Sequence, residues 1–347
     1  MNILSLFDGI SAGQVALQRA GIAVENYYAS EIDKYAVQIT QKNHPNTIQL
    51  GDITKWREWD IDWSSIDMVI GGSPCQGFSF AGKQLNFEDP RSKLFFDYLD
   101  ICNHVADHNP KMKFLLENVR MKQEYQDVIS EFLGVSPIFM NSSLVSAQNR
   151  PRLYWTNIND VSVPENKDIM LIDIIEGNKV DDKYMLSKEA IDYMSRLRNG
   201  KPRWEYHKNP LNGKAACLTA NMYKGVPYGV ITIANDINLL IVNEATKKGF
   251  INVFPGDGVD LTFPSSKTRR GRLMEDKSNC LTATTYDYCF CDGHVIRKLT
   301  PIECERLQTF PDNYTEGISN SQRYKSLGNG WTVDMIAHIF SHINNKK

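Results

Sequence analysis

The sequence predicts an α/β fold: a doubly wound, mostly parallel sheet with an antiparallel end strand, accompanied by a smaller, irregular, mainly β domain. Three observations predict it. Strand-like apolar runs alternate with helical patterns over the first 160 residues. That periodicity is lost from about residue 164, and helical spacing returns near the C-terminus. Strands separated by helices of this length imply parallel pairing with helices on both faces.

In chain order, Ile3–Leu6 reads as a short buried strand and Gln14–Ala20 as the start of a helix. Tyr27–Ser30 reads as a second strand, followed by a helix over Asp33–Lys42. Asp67–Ile70 is a third strand, with helical spacing over Leu94–Val105. Lys113–Leu116 and Glu124–Leu133 repeat the pattern as strand and helix. The segments around Ile138–Val145 and Arg152–Thr156 predict an antiparallel pair. Beyond residue 164, short strand-like pieces alternate with turn clusters such as Asn209-Pro210-Leu211-Asn212-Gly213 and Pro255-Gly256-Asp257-Gly258. Within that region, Cys217-Leu218-Thr219-Ala220 is echoed by Cys280-Leu281-Thr282-Ala283, too short a match to make a repeat architecture. Pro301–Gln308 and Thr332–His342 are again helical.

The 347 residues suffice for one large domain with a smaller companion. No apolar run reaches the roughly 18 residues that span a bilayer, and the N-terminus has no signal-peptide pattern. Seven cysteines without CxxC spacing predict neither a disulfide framework nor a zinc site, so no metal is expected. The net charge of −2 conceals a division along the chain. Residues 1–163 carry 14 basic and 19 acidic side chains, whereas 196–272 carry 13 basic and 5 acidic. Arg196, Arg198, Lys201 and Arg203 form one basic cluster; Lys267, Arg269, Arg270 and Arg272 form another. Such clusters near Trp204, Tyr206 and Tyr223 suit a phosphate-tracking surface, although either alone could be a solvated face.

Ligands on doubly wound sheets sit beyond the carboxyl ends of the strands, and the chemistry-bearing residues fall there. Phe7-Asp8-Gly9-Ile10-Ser11-Ala12-Gly13 follows the first strand and opens a helix, whose N-terminus offers free N–H groups to a ligand. Glu31 ends the second strand, where an acidic residue commonly takes ribose hydroxyls. Gly51-Asp52-Ile53 offers a carboxylate for an exocyclic amine and an apolar face for a purine. No Walker loop is present. Gly71-Gly72-Ser73-Pro74-Cys75-Gln76-Gly77 follows the third strand, and its glycines and proline present Cys75 in a sharp turn. A lone cysteine is ordinarily a buried hydrophobe; this setting favours exposure to a ligand. Phe114-Leu115-Leu116-Glu117-Asn118-Val119 brings Glu117 to the same edge, with Asn118 able to anchor it or the loop. In Gln148-Asn149-Arg150-Pro151-Arg152, extended alternation puts Gln148, Arg150 and Arg152 on one side.

Taken in order, these segments resemble the DNA cytosine-5 methyltransferase family of bacterial and phage type. Arg297–Pro311 is similar to that family's penultimate motif, and Tyr324–Val333, with Gly328-Asn329-Gly330-Trp331-Thr332-Val333, to its last. The resemblance spans the chain apart from about 164–296. It implies a Rossmann-like sheet that binds S-adenosylmethionine and releases S-adenosylhomocysteine. The catalytic domain would comprise 1–163 with 322–347, and the target-recognition domain 164–321. Cofactor contacts would fall to Phe7, Asp8, Gly9, Ile10, Glu31, Ile32, Asp52, Ile53, Pro74, Asn329, Trp331 and Thr332. Gly330-Trp331-Thr332-Val333 departs from the Ser or Ala usual before valine and resembles the de novo eukaryotic branch. Cys75 would be the nucleophile, with Glu117, Asn118, Arg150 and Arg152 completing the catalytic set.

The resemblance further implies double-stranded DNA as partner, contacted by Gln76, Ser79, Gln148, Thr219, Thr282, Arg269 and Arg270. It implies a monomer in the cytoplasm of a bacterial or phage-infected cell, with neither metal nor membrane as partner. A tRNA cytosine-5 methyltransferase is the alternative within the fold. That branch carries Cys-Phe-Thr where Cys280-Leu281-Thr282 stands here, and it has a shorter small domain. A catalytically silent DNA-binding paralogue would have lost Cys75 or Glu117. A nucleotide-binding oxidoreductase would explain the first turn but not the later segments.

Overall fold

A computed structural model gives the arrangement of residues 1–73, 90–176, 180–184, 186–199, 201–202, 213–224, 226, 230–233, 241–243, 250–252, 258–260, 272–274, 288–290 and 295–343. The chain divides into two compact units, residues 1–174, 214–224 and 301–347 in the first, and 175–213 with 225–300 in the second.

The first unit is built on a seven-stranded sheet. Its strands are β1 (Asn2–Leu6), β2 (Asn26–Ser30), β3 (Ile48–Gln49), β4 (Ile66–Gly71), β5 (Lys113–Val119), β6 (Ile138–Asn141) and β7 (Pro151–Thr156). They lie in the order β3-β2-β1-β4-β5-β7-β6. Pairing is parallel from β3 through β5; β7 runs antiparallel to both β5 and β6. The helices between strands are α1 (Ala12–Arg19), α2 (Lys34–Asn43), α3 (Pro90–His108) and α4 (Gln123–Leu133). The central strands are buried on both faces: Ile3, Leu4, Leu6, Val69, Ile70, Leu115 and Leu116 are all inaccessible. This is the reason they read as unbroken apolar runs.

Two elements were not legible as periodic segments. β3 is only two residues long. The helix Asn320–Asn329 is polar along most of its length. It follows a helix over Pro301–Leu307 and precedes one over Val333–Ser341, and all three belong to the first unit. That unit also takes in 164–174, 214–224 and 301–321, which the sequence reading placed in the smaller domain. The reason is hydrogen bonding and burial. Ala215 pairs with Ala147 and Asn149 through backbone bonds, and the Glu305 carboxylate, fully buried, is held by Arg323 at 2.9 Å and by the amides of Asn313 and Thr315.

The second unit contains a helix over Lys188–Ser195 and short antiparallel strands. Val230–Ile233 pairs with Val295–Lys298, and Ile241–Asn243 with Phe250–Asn252. Gly258–Asp260 lies between Arg272–Met274 and Tyr288–Phe290. Among the described residues none of these strands exceeds four residues, in keeping with the irregular, mainly β character expected of this region.

Candidate active site

Parallel pairing sets Leu6, Gly71 and Leu116 side by side at the carboxyl edge of the sheet. A cleft of about 540 Å³ opens there, wholly within the first unit. One wall is the turn after β1, in which Phe7, Gly9 and Ser11 all adopt left-handed backbone conformations, with φ of 57°, 60° and 57°. Such φ values are uncommon outside glycine and mark a backbone held by its surroundings. The restraints are visible. The Asp8 carboxylate accepts hydrogen bonds from Tyr27 Oη at 2.8 Å and from Ser11 Oγ, and Gly9 N donates to Glu31 at 2.8 Å. Burial pushes the Asp8 carboxyl up to about 6, against the opposing pull of its hydroxyl donors. Asp8 therefore braces the turn from behind.

Glu31 also accepts from the amides of Ile32 and Asp33, each at 2.8 Å, so backbone donors fix the orientation of its carboxylate. Ile32 stands 77% exposed at the cleft. Asp52 caps the turn beginning at Ile53 by accepting from Thr54 N and Oγ1, and these bonds lower its pKa. Ile53 is buried beneath it.

The other wall is set by the register of β5 and β7. Glu117 pairs with Tyr154 and Val119 with Arg152, which puts Glu117 and Arg152 diagonally on one face. Arg152 Nε lies 2.7 Å from Glu117 Oε1, both side chains being only 12% exposed. Burial opposes charge on Arg152, but Glu117, Cys217 and Tyr154 outweigh it and raise its pKa. Trp331 Nε1 donates to the second oxygen, Glu117 Oε2, at 3.1 Å. Asn118 is buried, accepts from Val119 N at 2.8 Å, and makes a long 3.5 Å contact with Ser73 Oγ. Cys75, Pro74, Gln76 and Ser79 lie outside the described residues, as do Arg269, Arg270 and Thr282.

Arg150 is buried at 3% and does not face the cleft as a free cation. Its guanidinium donates to the carbonyls of Leu218 at 3.0 Å, Gly330 at 2.8 Å and Gly328 at 3.3 Å. Gln148 is fully buried too. Its amide donates to Leu307 O and Gln308 Oε1 and accepts from Leu218 N at 2.8 Å, so it is spent inside the unit and not on a DNA-facing surface. Gln148, Arg150 and Arg152 do share one side, all three meeting Cys217 or Leu218, and it is that side which the 214–224 segment covers. Thr332 is likewise internal, its hydroxyl donating to Gln308 at 2.9 Å. Gln308, which sequence reasoning did not single out, ties these pieces together and donates to the carbonyls of Leu327 and Gly330. Asn329 is exposed at the cleft, and Thr219 lines it with a hydroxyl that has no hydrogen-bond partner among the described residues. Leu218–Ala220 leads into a 3-10 turn; Leu281–Thr285 is outside the described residues.

A sequence model of the C-5 cytosine-specific DNA methylases matches residues 1–345. The chain belongs to this family. As a C-5 cytosine-specific DNA methylase it is an enzyme that methylates C5 of cytosine in DNA. It is 30% identical to the type II methyltransferase M.HpaII of Haemophilus parainfluenzae, over 96% of this chain and 86% of that protein. It is 27% identical to the orphan methyltransferase M.SPRI of Bacillus phage SPR, over 99% and 97% of the two chains. The structure of the Entamoeba histolytica methyltransferase EhMeth superposes with a TM-score of 0.64 at 17% identity, covering 99% and 97% of the two chains, which places this methylase in the same fold. Among the described residues no group of His, Cys, Asp and Glu side chains is arranged to hold a metal, and no helix is long and apolar enough to cross a membrane.

Proposed function

We propose that the chain transfers the methyl group of S-adenosylmethionine to C5 of a cytosine extruded from a specific duplex DNA sequence, through a bond between Cys75 Sγ and cytosine C6. One observation carries this reading: the left-handed turn, Glu31 and Asp52 line the same continuous cleft as the Glu117–Arg152 pair. An adenosyl group fits the first half. The Glu31 carboxylate accepts three amides and keeps capacity for a ribose hydroxyl. Ile32 offers an exposed apolar face to the adenine, Asp52 an acceptor for its amine, and Phe7, Gly9 and Ile10 the wall along the remainder. When bound, the group supplies an electrophilic methyl on a sulfonium.

Cytosine C5 is a poor nucleophile inside a stacked duplex, so the base must leave the stack. Addition of the Cys75 thiolate to C6 moves an electron pair toward C5 and makes it nucleophilic. Glu117 would meet N3 and the exocyclic amine as charge develops, and Arg152 the O2 oxygen. Arg150 acts from behind, holding the Gly328–Gly330 and Leu218 carbonyls that line the cleft. Water takes the C5 proton, the electron pair left at C5 re-forms the C5–C6 double bond, and the C6–S bond breaks to return the Cys75 thiolate. Gln76 and Ser79, close to Cys75 in the chain, would contact the DNA. The second unit, which holds most of the basic excess of 196–272 and includes Arg269 and Arg270, would read the sequence in the major groove, Thr282 among its contacts. The protein would act as a monomer in the cytoplasm of a bacterial or phage-infected cell.

The test is parallel incubation of duplex DNA of random sequence and bulk tRNA with labelled S-adenosylmethionine, followed by nucleoside analysis. Label in 5-methyldeoxycytidine from the duplex is expected. Label confined to tRNA would replace this reading with the tRNA alternative, and label on an exocyclic amine would overturn it.

A further inference from the structure

We infer that Trp331 is a positioning residue for Glu117: its indole N–H fixes the plane of the carboxylate that meets the target base. This rests on the reading of Glu117 as the base-contacting group. The carboxylate is held from two sides, by Arg152 Nε at 2.7 Å on Oε1 and Trp331 Nε1 at 3.1 Å on Oε2. With one donor, a glutamate side chain could still rotate about its last bond; with a donor on each oxygen it cannot without losing one. A third wall closes the site. A Cβ added at Gly72 would come within 3.1 Å of both Glu117 Oε2 and Trp331 Nε1, so the Gly72 backbone lies directly against the bond and shields it.

The indole is itself anchored. Arg150 binds the carbonyl of Gly330, immediately before Trp331, and Gln308 donates to the same carbonyl at 3.0 Å. Thr332, immediately after it, is pinned by Gln308. Position 331 lies at the cofactor cleft, yet its only polar side-chain atom is turned to Glu117. The cofactor wall and the base-reading carboxylate are thereby linked through one side chain. Since each carboxylate oxygen can accept a further hydrogen bond, the two donors leave outward lone pairs for the base edge. The gain is in orientation, which counts chiefly in the transition state.

The experiment uses the full chain, duplex DNA and single-turnover methyl transfer, with cofactor and DNA dissociation constants measured separately. Trp331→Phe is expected to slow transfer about 10-fold, the scale of a hydrogen bond to a charged group, while both dissociation constants stay within about twofold. In a Glu117→Gln background the same change should cost less than about twofold, because the indole acts only through the carboxylate. Losses that multiply, or a loss of cofactor affinity with the rate preserved, would overturn the inference. Trp331→Tyr is the second variant, and a similarly intact rate in both Phe and Tyr would also overturn it, as would failure of both to fold. Should Glu117→Gln itself transfer at the wild-type rate, the reading of Glu117 fails; should only the Trp331 variants be silent, this inference alone fails.

Discussion

Cys75→Ser is expected to bind duplex DNA with near wild-type affinity and to transfer no measurable methyl group, a loss on the order of 10³-fold or more in turnover. The argument is chemical. A cysteine near pH 7 is ionised by a few per cent and is intrinsically a strong nucleophile; a serine hydroxyl is neither. Attack at C6 is what makes C5 reactive; the cleft holds one further thiol among its described lining residues, Cys217, which lies against Arg150 at 3.4 Å and Arg152 at 3.9 Å and donates to Leu218 O at 3.3 Å. Arg152 and Arg150 are donors only, and Glu117 is held by Arg152 and Trp331 as an acceptor for the base edge. DNA affinity depends on phosphate contacts and should survive, because exchanging sulfur for oxygen leaves the basic surface unchanged. Gel-shift titration beside a methyl-transfer assay checks both halves of the expectation.

Gly328→Ala is expected to lower thermal stability sharply and to abolish activity with it. Gly328 lies in the helix Asn320–Asn329, where alanine would ordinarily be preferred by about 1 kcal/mol. Here a Cβ would stand 2.2 Å from the Thr219 carbonyl carbon, 2.4 Å from its oxygen and 2.5 Å from Ala220 N. All three are backbone atoms, so no side chain can swing aside. The 217–224 segment would have to lift, releasing the Arg150 bond to Leu218 O and the Gln148 bond to Leu218 N. Overpacking costs about 1–3 kcal/mol where neighbours can yield, and more where they cannot. A loss of roughly 3 kcal/mol or more is expected, lowering Tm by about 6–12 °C for a unit of this size. Calorimetry decides it; an unchanged or raised Tm would mean that helix propensity outweighs the contact.

The sheet was legible because its strands are short apolar runs separated by helices; of the segment expected around Ile138–Val145, however, only Ile138–Asn141 is strand, and Ser142–Leu144 turns off as a 3-10 helix capped by Asn141. The two-residue β3 has no period to detect, and the helix carrying Gly328 has too few apolar residues to show one. In the site, Glu117 and Arg152 could be placed at one edge from the sequence, but their contact follows from the β5–β7 register, which sequence spacing does not supply. Alternation puts Gln148, Arg150 and Arg152 on one side but does not reveal what covers that side, so Gln148 was expected at the DNA and not inside the unit. The covering segment, 214–224, comes from a part of the chain where periodicity had vanished. Trp331 lies 214 residues from Glu117, and nothing local to either announces their bond. Such a link becomes visible only when the last helices fold back on the sheet.

The central claim is covalent catalysis by Cys75 on a cytosine held by Glu117 and Arg152. It is tested most directly with a random-sequence duplex in which every cytosine of one strand carries fluorine at C5. Without a C5 proton to lose, the methylated base cannot release the thiolate. A DNA-linked protein should therefore accumulate only when S-adenosylmethionine is present, and peptide mass spectrometry should place the link at Cys75. Steady methylation of unmodified duplex with no trapped complex on the fluorinated one, or a link at any other residue, would contradict the account.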